Sequence, residues 1–245
     1  MSHPEQKTIK NRILAALPAS EFALVAKTLS PVDMDLGETL HRAGEDIDFI
    51  YFVESGFISA LSVLSEGQPL EIGLIGAEGV AGVSVMLGAT TSYSETMCQT
   101  GGAAHRMTST MLKEVAAHAP RLRDLLLRYA HAFHVQVAQT AACNAHHELG
   151  QRLARWLLAA HDRSGVAELS LTQDLIAVML GVRRSTVSIA ASTLQKAGIL
   201  RYQHGRITIL DRTGLENAAC ECYEAVTSEY RRLFGEYRPG PIRAV

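Results

Sequence analysis

Cysteine is scarce in this chain of 245 residues: Cys98, Cys143, Cys220 and Cys222 are the only four. They are too few and too scattered for a disulfide framework. Cys220-Glu-Cys222 is a CxC, not a CxxC, and without a second close pair it reads as two ordinary helix thiols. No run approaches the roughly 20 apolar residues of a membrane helix. The opening residues, MSHPEQKTIKNR, lack the apolar core of a signal peptide. No internal repeat and no low-complexity segment is present. The chain also lacks G-x-S-x-G, a Walker loop and H-E-x-x-H, and its Gly-rich 73–88 stretch does not fit G-x-G-x-x-G, so no enzyme class is indicated. These absences point to a soluble, cytoplasmic, non-enzymatic protein with no membrane partner.

An excess of basic charge is missing too, because the net charge is −2. Its distribution is uneven, however. Between Ser170 and Arg212 six basic residues (Arg183, Arg184, Lys196, Arg201, Arg206, Arg212) face two acidic ones (Asp174, Asp211), a local excess of four. Such an excess on a near-neutral chain marks a nucleic-acid-reading module.

That region is also the most structured in its pattern. Thr172–Leu194, TQDLIAVMLGVRRSTVSIAASTL, reads as two short helices around a tight turn. Thr172 is placed to cap the first helix, which carries Leu175, Ile176 and Met179 at helical spacing. Gly181 can adopt the left-handed conformation that ends a helix sharply. The second helix places Val187, Ala190, Ala191 and Leu194 on one face and Arg183, Arg184, Ser185, Thr186 and Ser188 on the other. An apolar back with an Arg/Ser/Thr front suits the major groove of double-stranded DNA, where Arg bonds the guanine edge and Ser or Thr meets phosphates or bases. Ile199–Tyr202 and Ile207–Leu210 flank His204-Gly205-Arg206 and read as a hairpin wing, followed by one final helix over 213–234 and a Pro/Gly-rich tail.

Upstream, residues 7–29 read as helical, with a break at 16–20. From about Val32 to Met107 short apolar or alternating strands are punctuated by Gly37, Gly44, Gly56, Gly67 and Gly76, which suggests an all-β roll or barrel. Thr108 caps a short helix, and Pro120 opens a long one reaching about His146. Leu122, Leu126, Tyr129, Phe133, Val137, Thr140 and Asn144 form a stripe at three- and four-residue steps. At roughly 39 Å long, this helix reads as a dimer seam, the alternative being packing on its own roll. A helix over 148–161 then leads to a polar break, HDRSGVAE.

In this order of parts the chain resembles the Crp/Fnr family of bacterial transcription regulators over nearly its whole length. The specific matches are Gly44-Glu45 and Glu54-Ser-Gly56 in the roll, the Pro120-led helix, LTQDLIAVMLGVRRSTVS with LQKAGIL, and the terminal DRTGLE and CECY runs. The resemblance implies an α+β chain in three parts: a jelly-roll-like β-roll sensor over 1–119, a dimerisation helix over 120–147, and a winged helix-turn-helix over 148–245. It implies a homodimer on an inverted-repeat operator, with RNA polymerase as a further partner. Arg184 takes the main base contact. Arg183, Ser185, Thr186 and Ser188 are secondary contacts, Thr172 and Gln173 suit a phosphate at a helix N-terminus, and Arg206 suits the backbone from the wing. Two family positions depart: Ser185 stands where a Glu often reads bases, and Ile189 where a second Arg does.

The resemblance also implies an effector pocket in the roll. Where cyclic-AMP-binding members carry Gly-Glu and Arg-Ser, this chain has Ala81-Gly82 and Ser92-Tyr93, so a cyclic phosphate would find no matched Arg. Cyclic AMP is therefore not expected, and Gly82, Val83, Ser92, Tyr93, Tyr129 and Phe133 would line a pocket for an unknown, more apolar effector. No N-terminal cysteine group is present to hold an iron–sulfur cluster. His131, His134, His146 and His147 read as surface or interface histidines. No cofactor and no metal site is expected. The competing reading is a roll that binds a ligand and controls a protein partner without touching DNA.

Overall fold

The computed structural model describes residues 3–65, 67 and 69–235. The chain divides into two compact units, Met1–Ala60 with Leu74–His134, and Leu61–Gly73 with Val135–Val245. Helices are α1 (Arg12–Ala15), α2 (Ala19–Ala26), α3 (Ser109–His118), α4 (Pro120–His146), α5 (Leu149–Ser164), α6 (Gln173–Leu180), α7 (Arg184–Lys196), α8 (Arg212–Ala218) and α9 (Cys222–Phe234). Strands are β1 (Ser30–Met34), β2 (Thr39–His41), β3 (Phe49–Ser55), β4 (Ile58–Val63), β5 (Pro69–Ile75), β6 (Val80–Ala81), β7 (Glu95–Cys98), β8 (Gly102–Thr108), β9 (Glu168–Ser170), β10 (Leu200–Gln203) and β11 (Arg206–Ile209).

Upstream of α3 the short, glycine-punctuated strands form two four-stranded sheets, ordered β1-β8-β3-β6 and β2-β7-β4-β5. β3 and β8 pair antiparallel from Phe49↔Thr108 to Val53↔Ala104, with a register shift before Ser55↔Ala103. Ile50, Phe52, Phe57, Ile58 and Met34 are buried. This is the expected β-roll. The expected helical stretch 7–29 is broken into α1 and α2, because Pro18 sits at the start of α2 and cannot continue α1. Asn11 fastens α1 to the roll. It is fully buried, donates to the carbonyls of Val53 (3.1 Å) and Gly79 (2.8 Å), and accepts from the Leu14 amide (3.2 Å).

α4 starts at Pro120, where a missing N–H costs nothing. The next two amides, of Arg121 and Leu122, donate to the Glu21 carboxylate at 3.2 and 3.0 Å, placing a negative charge on the positive end of the helix. Leu122, Leu126 and Tyr129 are fully buried, and Phe133 is 8% exposed. Gly79 makes room for Tyr129, because a Cβ there would lie 2.5 Å from the tyrosine hydroxyl.

His41 is 6% exposed in the roll, with Nε2 2.8 Å from the Phe49 carbonyl and Nδ1 2.9 Å from the Thr96 hydroxyl. A neutral ring satisfies both contacts, Nε2–H donating and Nδ1 accepting. Burial holds this imidazole below its usual 6.5, so the folded state resists a proton that the unfolded chain accepts. The roll therefore keeps this contribution above pH 6.5 and loses it as pH falls toward the lowered folded value. Thermal melts should show a lower Tm at mildly acidic pH than at neutral pH, and His41→Gln should flatten that dependence. An equal acid slope in the variant would assign it to other groups.

The second unit is built on α5, which carries a capping box formed by Glu148 and Gln151. Leu153, Leu157, Leu158 and Trp156 are buried along it, and the Trp156 indole N–H donates to the Glu71 carboxylate at 2.8 Å. The helix runs on to Ser164, through the expected polar break. His161 and Asp162 are buried instead of solvated, because Arg212, fifty residues later, reaches them both. β10, β11 and β9 form an antiparallel sheet in that order, with His204 (φ 52°) and Gly205 (φ 75°) at the hairpin tip. Two left-handed residues in a two-residue turn match the twist of the flanking strands.

The expected final helix over 213–234 is two helices, α8 and α9, separated at Ala219–Glu221. On a continuous helix Cys220 and Cys222 would point roughly 200° apart. The break lets both thiols face inward, 5% and 0% exposed. The Pro/Gly-rich tail lies outside the described residues.

Candidate nucleic-acid interface

α6 and α7 cross at 107°, within the range of DNA-reading helix pairs. The Thr172 hydroxyl caps α6 by accepting from the Leu175 amide at 3.2 Å. Gly181 ends it at φ 62°, ψ 41°, with its N–H turned back to the Ala177 and Val178 carbonyls. Besides supplying that conformation, Gly181 leaves room for Leu70, whose Cδ1 would lie 2.7 Å from an added Cβ. Val187, Ala191 and Leu194 bury the back of α7.

The opposite face is exposed: Arg183, Arg184, Ser185, Thr186 and Ser188 are all open to solvent. Arg184 Nε lies 3.5 Å from Asp174 Oδ1, with both side chains mostly exposed. An exposed pair of this kind is worth about 0–1 kcal/mol and is easily exchanged for another anion. The Ser188 hydroxyl donates to Gln173 Oε1 at 3.1 Å, fixing the Gln173 side chain across the two helices. Thr172, Gln173, Arg184, Tyr202 and the wing tip His204-Gly205 line one shallow groove. Arg206 stands on the wing, 3.0 Å from Glu168. The structure thus brings all eight residues to the helix pair and the wing. It adds Ile189, 69% exposed one residue beyond Ser188. An apolar side chain held in water on this face is suited to a thymine methyl group.

The candidate effector residues do not gather in the same way. Gly82 is walled by Ile50, Ile47 and His41, Tyr129 packs on Gly79, and Ser92 donates to the Ser94 carbonyl at 2.7 Å. Tyr93 is 64% exposed, so it lines no enclosed cavity. Val83 opens a short 3-10 turn, Val83–Leu87, and Phe133 stacks obliquely on Tyr129 with ring centroids 6.2 Å apart. A different groove in the roll is lined by Asp46, Asp48, Phe49, Thr90, Ser109 and Lys113.

The residues expected at the dimer seam mostly face inward. Leu122, Leu126, Tyr129, Phe133 and Thr140 are buried within their own chain, and Val137 and Asn144 are half-buried. The apolar stripe is the inward face of α4. Its outward face carries Leu127, His131, His134, Ala138, Ala141 and Ala145, all exposed and spaced four, three, four, three and four residues apart.

The fold also unites residues that lie far apart in the sequence. The side-chain ligand atoms of Cys143, His147, Cys220 and Cys222 lie within 4.8 Å of one another. Burial pushes the Cys143 thiol up and the Cys220 thiol up to about 12. Cys98 is a separate buried thiol in the roll, pushed up to about 12 by burial and then by Glu38 and Asp35. Among the described residues no single helix is long and apolar enough to cross a membrane.

A β-roll followed by a winged helix-turn-helix with an open basic face defines a DNA-binding regulator, not an enzyme. Residues 151–218 match the model of the Crp-like helix-turn-helix domain. The chain is 25% identical over 200 residues to the transcriptional regulator LdrP of Thermus thermophilus, covering 77% of this chain and 96% of that protein. It is 25% identical over 216 residues to the CRP-like cAMP-activated global transcriptional regulator of Mycobacterium tuberculosis, covering 84% of this chain and 96% of that one. In fold it is similar to FixK2 from Bradyrhizobium japonicum, with a TM-score of 0.68 at 18% identity, over 78% of this chain and 98% of that one. Residues 151–218 are thus a Crp-like helix-turn-helix domain, and over most of its length the chain is similar to Crp/Fnr-type transcriptional regulators.

Proposed function

We propose that this regulator is a cytoplasmic homodimer that reads an inverted-repeat DNA operator with α7 and steadies itself on the phosphates with its wing. The observation that carries the reading is the exposed Arg183–Ser188 face at the leading end of α7, backed by a buried apolar face. Arg184 is the main base-reading residue, releasing Asp174 to bond a guanine edge. Ile189 adds an apolar contact to a thymine methyl. Thr172, Gln173 and Arg206 hold phosphates, and Arg183, Ser185, Thr186 and Ser188 supply the remaining polar contacts. The two protomers meet along the outward face of α4, where the Leu127–Ala145 residues repeat at the spacing of a helix–helix seam and the small alanines permit close approach.

The roll, over 1–119, is the sensor, and the 120–147 helix carries its signal toward the winged module, 148–245, as a shift between two populated arrangements. Its effector is not cyclic AMP. No arginine or lysine stands among Gly82, Val83, Ser92 and Tyr93 to neutralise a cyclic phosphate. RNA polymerase is the partner through which such a bound dimer would act on transcription.

The test is selection of bound sequences from a random DNA pool with the ligand-free full chain, repeated with Arg184→Ala. The expected result is a palindromic consensus whose information drops at one base pair per half-site in the variant. Binding to the consensus should weaken by about 1–3 kcal/mol per mismatched contact, roughly 5- to 150-fold. An unchanged consensus in the variant would place base reading elsewhere. No enrichment by either protein, with no small molecule restoring it, would remove DNA as the target.

A further inference from the structure

Three buried cysteines and one histidine meet in the second unit, drawn from two parts of the sequence. Cys143 and His147 lie one helical turn apart where α4 ends, so their side chains share a face. Cys220 and Cys222 come from the α8–α9 break. Cys143 Sγ is 3.5 Å from Cys220 Sγ, and Cys222 Sγ is 3.4 Å from His147 Nδ1. We propose that Cys143, His147, Cys220 and Cys222 bind one thiophilic divalent metal ion, zinc, in a tetrahedral Cys₃His site.

The geometry is that of a metal tetrahedron. Zinc–sulfur bonds of about 2.3 Å and zinc–nitrogen bonds of about 2.0 Å place tetrahedral ligand atoms roughly 3.5–3.8 Å apart. The two spacings above already match, and the remaining ones stay within 4.8 Å. The ring orientation is right as well. His147 turns Nδ1 toward the thiols, while its Nε2 lies 3.2 Å from the Glu221 carboxylate. A carboxylate on the far nitrogen fixes the tautomer and raises the basicity of a metal-bound histidine. The Gln139 amide donates to Cys222 Sγ at 3.1 Å, a bond that a thiolate accepts better than a thiol. Three thiolates and one divalent ion leave a net charge of −1, and the positive field of buried Arg155 acts on Cys143.

A disulfide explains less. Two sulfurs 3.5 Å apart must close to about 2.05 Å, and a Cys143–Cys220 bond would leave Cys222 and the Glu221-oriented His147 without a purpose. With four protein ligands the site is closed, which makes the metal structural. It would pin the α8–α9 junction to the C-terminal end of α4.

The test is metal analysis of the full chain as purified, then titration of chelator-stripped, reduced protein with Zn²⁺ alone and with Co²⁺ as a spectroscopic stand-in. The expected result is one ion per chain and the intense visible bands of tetrahedral thiolate-bound cobalt. Cys220→Ser and His147→Ala should abolish those bands, whereas Cys98→Ser should keep them. Glu221→Gln alters an exposed carboxylate and should leave folding intact, while weakening zinc affinity by about 10- to 100-fold. Circular dichroism checks each variant, so that loss of metal is separated from loss of fold. Absence of metal and of cobalt bands in folded, reduced wild-type protein would overturn the proposal. So would an air-formed Cys143–Cys220 disulfide in protein that never takes up metal, or an iron–sulfur chromophore with labile sulfide.

Discussion

Raising the salt concentration from about 50 to 200 mM is expected to weaken operator binding about 150-fold, with a log–log slope near −3.6. The number follows from the surface. Arg183 and Arg206 are exposed beside the base-reading Arg184 and can meet phosphates, two cations per chain and four in a dimer. Four phosphate-neutralising contacts at about 0.9 released ions each give that slope. A single chain engaging DNA alone would have a slope near −1.8 and lose only about 12-fold over the same range. The slope therefore reports on the number of protomers bound as well as on the contact itself. Acids beside the arginines sharpen the test. Arg184 is held by Asp174 and Arg206 by Glu168, so each arginine must exchange a carboxylate for the nucleic acid. Asp174→Asn should raise affinity for random DNA without changing the consensus. Fluorescence anisotropy over a salt series measures both. A slope near zero would mean that the arginines do not meet phosphates.

What the sequence made legible was local. The helix pair follows from the Thr172 cap, the Gly181 stop and the apolar spacing of Ile176, Met179, Val187 and Leu194, all within 23 residues. The wing follows from His204-Gly205, a dipeptide whose backbone preference almost specifies its turn. The roll was readable from its recurrent glycines. What was not legible depended on distant partners. Periodicity shows that α4 has an apolar stripe but not what covers it. Leu122 and Tyr129 are buried by their own chain, while the plainer Leu127–Ala145 face is the one left open. His161-Asp162 looked like a polar break because Arg212 is fifty residues away. The thiol cluster was hidden in the same way: Cys143 and Cys220 are 77 residues apart, and reading 213–234 as one helix turned Cys220 and Cys222 to opposite sides. The one local hint was Cys143 and His147, four residues apart across the end of α4, a spacing that puts two ligands on one face.

Replacing Arg212 by Ala is expected to destabilise the second unit by about 3–5 kcal/mol, because it strands a buried carboxylate. The Asp162 side chain is 2% exposed. Arg212 Nη1 meets Asp162 Oδ1 at 2.7 Å, and the Tyr223 hydroxyl donates to Oδ2 at 2.7 Å while accepting from Arg212 Nη2 at 2.7 Å. The guanidinium also donates to His161 Nδ1 at 3.2 Å and to Glu216 at 2.9 Å. One side chain thus ties α5 to α8 and, through Tyr223, to α9. His161 supplies an acceptor nitrogen, which requires a neutral ring. Burial, and then the charge of Arg212, holds its imidazole below the usual value. In urea melts Arg212→Ala should lower the midpoint more than Tyr223→Phe, which removes the two hydrogen bonds of the hydroxyl but leaves the Arg212–Asp162 ion pair in place. The double variant Arg212→Ala with Asp162→Ala should regain part of the loss, since the stranded charge is gone. That recovery distinguishes a desolvated charge from simple loss of packing by the arginine stem, which the second substitution could only make worse. A cost below about 1 kcal/mol for Arg212→Ala would mean that Asp162 is hydrated when its partner leaves, and that the α5–α8 junction is held by its apolar contacts alone.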